Sequence, residues 1–474
     1  MLRISMLMAT VLLFFSSIAM AAPPLKDIYE GPSGSYPEPI VAVGERVFFI
    51  AYNPVTGSEL YVSDGTSAGT VLTRDIFKGP GSARIGDLTE IGDSRVYFRA
   101  NDGFNGIELW SSDGTLAGTS MLVDLNIGSA SSNPVEFTQV GTDIFFSAYD
   151  PTNGRELWKT DGTAGGTQLV KDIAPGLASS DPQDLIAYNK ALYFRTSANI
   201  ADGSGGELWV SDGTDKGTKM VKDINPISGA SNPREFTISS NILYFRADDG
   251  VNGTELWGSD GTTKGTTLIA DINPGSGSSF PGDLTDLNGV LYFTATESLT
   301  GRELWKSDGT ALGTLLVADI NTAATSNPES LLALSDILYF SANDGINGRE
   351  LWSHSTSGQG KTSLVRDINP GVQSSDPFSL TDAGGILVFT ANDGTNGTEL
   401  WTSNGSLLGT NMISNPRADD GSEPAELTST IANTLFYSAD EDDQFGAELY
   451  YISDLAAVTK QARRKTKQAR RKFR

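Results

Sequence analysis

The chain has 474 residues, of which 34 are Lys or Arg and 58 are Asp or Glu, for a formal net charge of −24. With no Cys and a single His it has no disulfide, no thiol nucleophile, no Cys-ligated metal and no multi-His site. Its 52 Gly argue against long helices, because Gly costs about 1 kcal/mol per helical position relative to Ala.

Residues 1–21 have the pattern of a signal peptide. Arg3 gives a basic start, Ile4 to Met20 is almost wholly apolar, and Ala19-Met20-Ala21 supplies a small-residue exit. The expected address is therefore secreted, periplasmic or extracellular. The apolar stretch is near or below the ~20 residues of a spanning helix, and no second one follows. The mature chain is expected to lack a transmembrane segment.

From residue 22 to 454 a single period dominates. Glu-Leu-Trp/Tyr recurs nine times between Glu59 and Glu448, at steps of 47 to 51 residues. All seven Trp stand at its third position, and Tyr61 and Tyr450 replace Trp in the first and last copies. The copy around residue 300 parses into four strands. Asp283 to Leu287 turns at Asn288-Gly289, a hairpin dipeptide, into the β-rich stretch Val290 to Ala295. Glu303 to Ser307 is the third strand, Asp308-Gly309-Thr310 the next turn, and Leu315 to Ile320 the fourth strand.

Four strands in about 48 residues, repeated, predict an all-β fold, a β-propeller of about nine four-stranded blades. The chain ends support closure. Pro24-Leu25-Lys26-Asp27-Ile28 matches fourth strands such as Val221-Lys222-Asp223-Ile224, and the last copy stops after its third strand, Glu448 to Ser453. The N-terminal strand is expected to complete the last blade. An open solenoid, the alternative, leaves strand edges exposed at both ends.

Glu-Leu-Trp-x-x-Asp-Gly-Thr, as in Glu108 to Thr115, Glu156 to Thr163 and Glu255 to Thr262, resembles the bacterial ELWxxDGT repeat family over residues 22–454. Ser355-Thr356-Ser357 and Asn404-Gly405-Ser406 depart from the Asp-Gly-Thr turn. The resemblance implies a secreted or surface bacterial repeat protein and carries no defined activity. The turn also resembles the Asp-box hairpins of sialidase-like propellers, with different spacing.

A Glu repeated nine times reads as one structural solution used nine times, capping nearby backbone donors. Leu and Trp, adjacent in a strand, are expected on opposite blade faces, with an acceptor for each indole N–H. Sugar stacking is the other reading of the Trp. The loop before the motif is acidic and amide-rich, as in Asn101 to Glu108, and similar loops lead to Glu255, Glu350 and Glu399. Asp102, Asn105 and Glu108, with their repeat counterparts, are candidate Ca²⁺ ligands, although a Gly/Asn-rich turn explains the loop equally and no metal is the first expectation. His354 replaces a motif serine and is expected at a surface turn, so no catalytic triad is assigned. Two loops, Ser197 to Gly206 and Asp440 to Gln444, break the repeat and mark where a ligand site would differ from blade to blade.

Residues 455–474 form a basic tail, with nine Lys or Arg among the last sixteen residues, and are expected to be disordered or to touch an anionic surface. Without that tail and Arg3 the core carries −34, which repels nucleic acid. The expected function is a non-enzymatic interaction or ligand-binding propeller whose partner is a surface glycan or envelope protein, with no catalytic residue assigned. The alternative is a carbohydrate-active enzyme using paired carboxylates in the central funnel.

Overall fold

Second strands such as Leu291-Tyr292-Phe293 bury three consecutive large residues. Successive strand side chains leave on opposite faces, so both faces of the sheet are covered. The structure, a computed structural model, shows how. It describes residues 23–92, 94–197, 205–227, 229–357, 360–414, 421–441 and 445–472. The signal-peptide reading falls outside them, as do most of the two irregular loops.

Nine antiparallel sheets form a nine-bladed β-propeller. Blades 1 to 8 each run in chain order from inner to outer strand, from Ile40–Val43 to Val71–Leu72 in blade 1 and from Phe378–Asp382 to Asn411–Met412 in blade 8. Blade 9 has Ala425–Ser429, Leu435–Ala439 and Glu448–Ile452. Its outer edge is taken by the N-terminal segment, where Lys26 bridges Leu449 and the Leu25 N–H donates to the Leu449 carbonyl at 2.9 Å. Each inner strand lies against the next, and that of blade 9 lies against that of blade 1. The Thr428 hydroxyl donates to the Ile40 carbonyl at 2.8 Å across this seam, as Thr237 donates to Leu284 at 3.1 Å between blades 5 and 6. The ring is closed, and the solenoid is excluded.

The motif divides its side chains as the strand period requires. Trp257 packs toward blade 4 with Tyr193 and Leu208, while Leu256 packs toward blade 6 with Leu291 and Phe293. The expected indole acceptor is found for Trp401, which donates to the Ala391 carbonyl at 3.0 Å. Trp110, Trp158, Trp257, Trp305 and Trp352 bury the indole N–H without a partner among the described residues, which corrects that expectation. The apolar contact of the ring outweighs the unmade bond.

Glu255 is fully buried and accepts from the Ile272 N–H at 2.9 Å, the Ser279 N–H at 2.8 Å and the Ser279 hydroxyl at 2.5 Å. These donors sit where the outer strand leaves for the next blade, so each motif Glu fastens its own connector. Burial pushes Glu255 up to about 7 against those hydrogen bonds, and Glu59, Glu156, Glu350, Glu399 and Glu448 rise to the same value. On the opposite face, Asp260 accepts from the Thr262 N–H and hydroxyl at 2.8 and 2.7 Å, and Gly261 between them has φ +91°. The Gly265-Thr266 pair completes this turn: Gly265 abuts the Asp260 carboxylate, and the Thr266 hydroxyl meets that of Ser259 at 2.7 Å.

Part of the basic tail is helical. Leu455–Lys472 is an α-helix, capped by Asp454, whose carboxylate accepts from the Ala457 N–H at 2.8 Å. Leu455 is buried against Tyr437 and Tyr450 of blade 9, and Thr459, one turn on, is buried too. Packing anchors the first turns, and a run of Ala, Gln, Lys and Arg, all good helix formers, continues them. No helix among the described residues is long and apolar enough to cross a membrane.

Candidate functional site

The inner strands surround the axis, and near its start nearly every one carries a bulge with one residue in the left-handed region. In blades 2 to 6 that residue is acidic: Asp87, Glu136, Asp184, Glu235 and Asp283, with φ between 52° and 66°. Blades 7 and 8 have Ser330 and Ser379 there, and blade 9 has Glu426. A side chain held at positive φ costs about 1 kcal/mol or more, so the bulge is imposed by the sheet. These residues mark one mouth of the ring's axial channel, and the Glu136 carboxylate accepts there from the Leu185 N–H of the next blade at 3.3 Å. The connectors and the loops before Glu-Leu-Trp share this end of the ring.

Each of six successive blades sets one guanidinium behind this row of acids. In blades 2, 4 and 5 it comes from the second strand, as Arg99, Arg195 and Arg246, paired in register with inner-strand Gly86, Gln183 and Arg234. In blades 3, 6 and 7 the second strand has Ser147, Thr294 and Ser341 at that register, and the guanidinium comes from the third strand, as Arg155, Arg302 and Arg349. The two sources converge on one place. Arg99 meets Asp87 at 3.2 Å, Arg246 meets Glu235 at 3.8 Å, and Arg195 meets Asp184 and Gln183. Arg349 meets Glu329 at 3.5 Å and Arg155 meets Asp181 at 3.9 Å. Arg302 donates to the Phe280 carbonyl at 2.8 Å, and Asp283 attracts it. Burial pulls Arg155 and Arg302 below their ordinary value, and Asp181 and Asp283 pull them back.

Blades 8, 9 and 1 break the pattern. Their two equivalent positions are Thr390 and Thr398, Ser438 and Ala447, and Ile50 and Ser58. Phe378 opens the inner strand of blade 8 and is 66% exposed; Tyr36, just before that of blade 1, is 60% exposed. The mouth thus has a charged arc over six blades and, over three, an arc in which these two strand positions hold no arginine and near which Phe378 and Tyr36 are exposed. Between blades 4 and 5 the charged arc borders an open pocket of about 400 Å³, lined by residues that include Asp184, Ile186, Arg234, Glu235 and Arg246.

The residues singled out in the sequence are placed elsewhere. Asp102 and Asn105 meet, but the Asp102 carboxylate already accepts from the Phe104 and Asn105 N–H groups at 2.8 Å and from the Asn105 amide at 2.7 Å. Glu108 is buried and turned to its connector, accepting from Leu125 and Ser132. Among the described residues no three Asp, Glu, His or Cys are grouped to hold a metal ion. His354 is not at a surface turn. It lies inside the third strand of blade 7, 7% exposed, with Nδ1 2.9 Å from the Thr362 hydroxyl, so it replaces the serine of the Ser–Thr pair that closes other blades.

The arginine arc was missed, although its signal is in the chain. Tyr-Phe-Arg occurs in three copies of the repeat and Arg-Glu-Leu-Trp in three others, never both in one copy.

No protein-family model matches the chain, and no curated protein does. Among solved structures it is similar to a puromycin hydrolase at 13% identity and TM-score 0.39, over 78% of this chain and 60% of that one. It is similar to a structure from a study of two prolyl endopeptidases at 12% identity and TM-score 0.42, over 76% and 55%. A puromycin-hydrolyzing peptidase of Mycobacterium tuberculosis gives 11% identity and TM-score 0.38, over 82% and 62%. The chain spans about 55 to 62% of the length of these structures. All three are enzymes, and the expectation of a non-enzymatic scaffold is corrected on that finding. At these TM-scores the likeness assigns no activity to the chain.

Proposed function

We propose that this is a secreted or envelope protein of the ELWxxDGT repeat type that takes a surface glycan at the connector-side mouth of its axial channel. One observation carries the reading: six blades keep a guanidinium beside the mouth carboxylates even though it is drawn from two different strands. Conserving backbone geometry alone does not require the same group from two origins. Guanidinium and carboxylate side by side offer planar donors and acceptors to sugar hydroxyls. The exposed rings of Phe378 and Tyr36 offer apolar faces. The leader-like residues 1–21 support an address where such glycans are met.

The test is retention of the full chain on an array of bacterial envelope and extracellular polysaccharides, with the bound glycans then sized for shortened chains. Retention on one glycan class is expected. The sizing step is included because paired carboxylates are the acid and base of glycoside cleavage. A blank array with a folded protein overturns the reading.

A further inference from the structure

Where blades 6 and 7 meet, on the face opposite the mouth, the repeat is interrupted and the packing changes with it. At four other junctions the turn glycine of one blade covers the tyrosine hydroxyl of the blade before it. A Cβ added to Gly162 would lie 2.7 Å from the Tyr97 hydroxyl, one on Gly309 2.9 Å from that of Tyr244, and one on Gly405 2.8 Å from that of Tyr339. In blade 7 the turn is Ser355-Thr356-Ser357, and Thr356 is held on its own blade, its N–H donating to the Asp336 carbonyl at 3.0 Å. Tyr292 of blade 6 lacks that glycine; the His354 ring flanks it instead, and it stays buried. A cavity of about 570 Å³ opens there, lined by the Tyr292 and His354 rings, Lys306, Asn288 and the apolar side chains of Val290 and Leu316.

A second departure falls in the same place. In blade 3, Lys159 pairs with Asp143 of the neighbouring strand at 2.9 Å. The equivalent lysine of blade 6 is Lys306, and the residue matching Asp143 is Val290. Lys306 therefore has no carboxylate across the strand, and its ammonium borders the cavity. The His354 ring lies 5.4 Å from that of Tyr292, centroid to centroid. Burial, and then Lys306, pull this imidazole below its ordinary value, so it is neutral at pH 7. Among the described residues, the carboxylate bonded into the rim is that of Asp336, which accepts from the Asn288 amide at 3.2 Å.

We propose that this gap between blades 6 and 7 binds a small organic carboxylate with an apolar body. Lys306 supplies the charge, the Tyr292 hydroxyl a donor, and Val290 and Leu316 the apolar wall. The mouth of the channel takes no part, so this inference stands apart from the glycan reading.

The experiment is calorimetric titration of the full chain with benzoate, with its neutral isostere benzamide, and with inorganic phosphate. Benzoate is expected to bind saturably at one site, with benzamide and phosphate each at least about tenfold weaker. Lys306→Gln should weaken benzoate by about tenfold. A second variant rebuilds the common turn by Ser355→Asp, Thr356→Gly and Ser357→Thr; it should remain folded and lose benzoate binding. No saturable benzoate binding to the folded wild type overturns the proposal. So does benzoate binding that survives both variants, or phosphate binding as tight as that of benzoate.

Discussion

The carboxylate of Glu448 accepts a 2.6 Å hydrogen bond from the hydroxyl of Ser35, 413 residues earlier in the chain. It also accepts from the Ile28 and Tyr29 N–H groups at 3.4 and 3.3 Å. Every other motif Glu with described partners fastens the connector that follows it in sequence; the last one fastens the N-terminus, because in the closed ring that is the connector that follows it in space.

Removing this clasp should loosen both chain ends at once. Glu448→Ala leaves three buried or half-buried donors unpaired and is expected to cost about 2–4 kcal/mol. Denaturant melts measure the loss, and limited proteolysis should find new cleavage before residue 40. Glu255→Ala should cost a similar amount without exposing the N-terminus.

Stability should fall as pH rises through neutrality. Six motif Glu have folded values of about 7 against 4.5 in the unfolded chain, so the fold holds protons that the unfolded chain releases. Their contribution is complete below about pH 4.5 and is lost by the time pH has passed about 7. The turn carboxylates, Asp113 and Asp212 among them, are shifted the other way, held below 3.8, and lose their contribution only in stronger acid. The melting temperature should therefore peak near about pH 4–5 and drop by pH 8. A Glu255→Gln variant should flatten part of that slope.

The two origins of the mouth arginines predict a transplant. Arg99→Ser should destabilise by about 1–2 kcal/mol, since it strips Asp87 of its partner in a half-buried site. Adding Ile107→Arg, the blade 3 arrangement placed in blade 2, should restore most of the loss. Thermal melts of the single and double variants decide it, and a double variant no better than Arg99→Ser would separate the two positions.

Glycines of equal backbone strain should differ in what they tolerate. Gly261 and Gly275 have φ +91° and +95°, but Gly261 abuts the Tyr193 hydroxyl and Gly275 faces open space. Gly275→Ala should cost about 1 kcal/mol for its conformation alone, and Gly261→Ala distinctly more.

The period, the four strands and the closing segment were legible because apolar alternation and turn dipeptides recur in phase from Glu59 to Glu448. The capping role of the Glu was legible for the same reason, since nine copies of one buried acid need one repeated set of donors. The arginine arc was not. A group supplied by Arg99 in one blade and Arg155 in the next never fills a single column of the repeat, and only the sheet register brings them together. The terminal helix was not legible in a stretch dominated by charge. Its first turn is anchored by the burial of Leu455 against Tyr450, a contact between segments that composition does not report. His354 misled in the same way: replacing a turn serine placed it near the surface in sequence, whereas the neighbouring blade covers it.

The most direct test of the mouth as the glycan site uses two exposed positions, Phe378 and Glu235, of which the second gives up only a 3.8 Å ion pair with Arg246. Phe378→Ala and Glu235→Gln are compared with the wild-type chain for retention on the glycan that the array identifies. Both variants should melt within about 1 kcal/mol of wild type, the cost of an exposed ion pair at most, and lose retention by about tenfold. Unchanged retention in both, with the fold intact, would contradict the assignment of the ligand to the mouth.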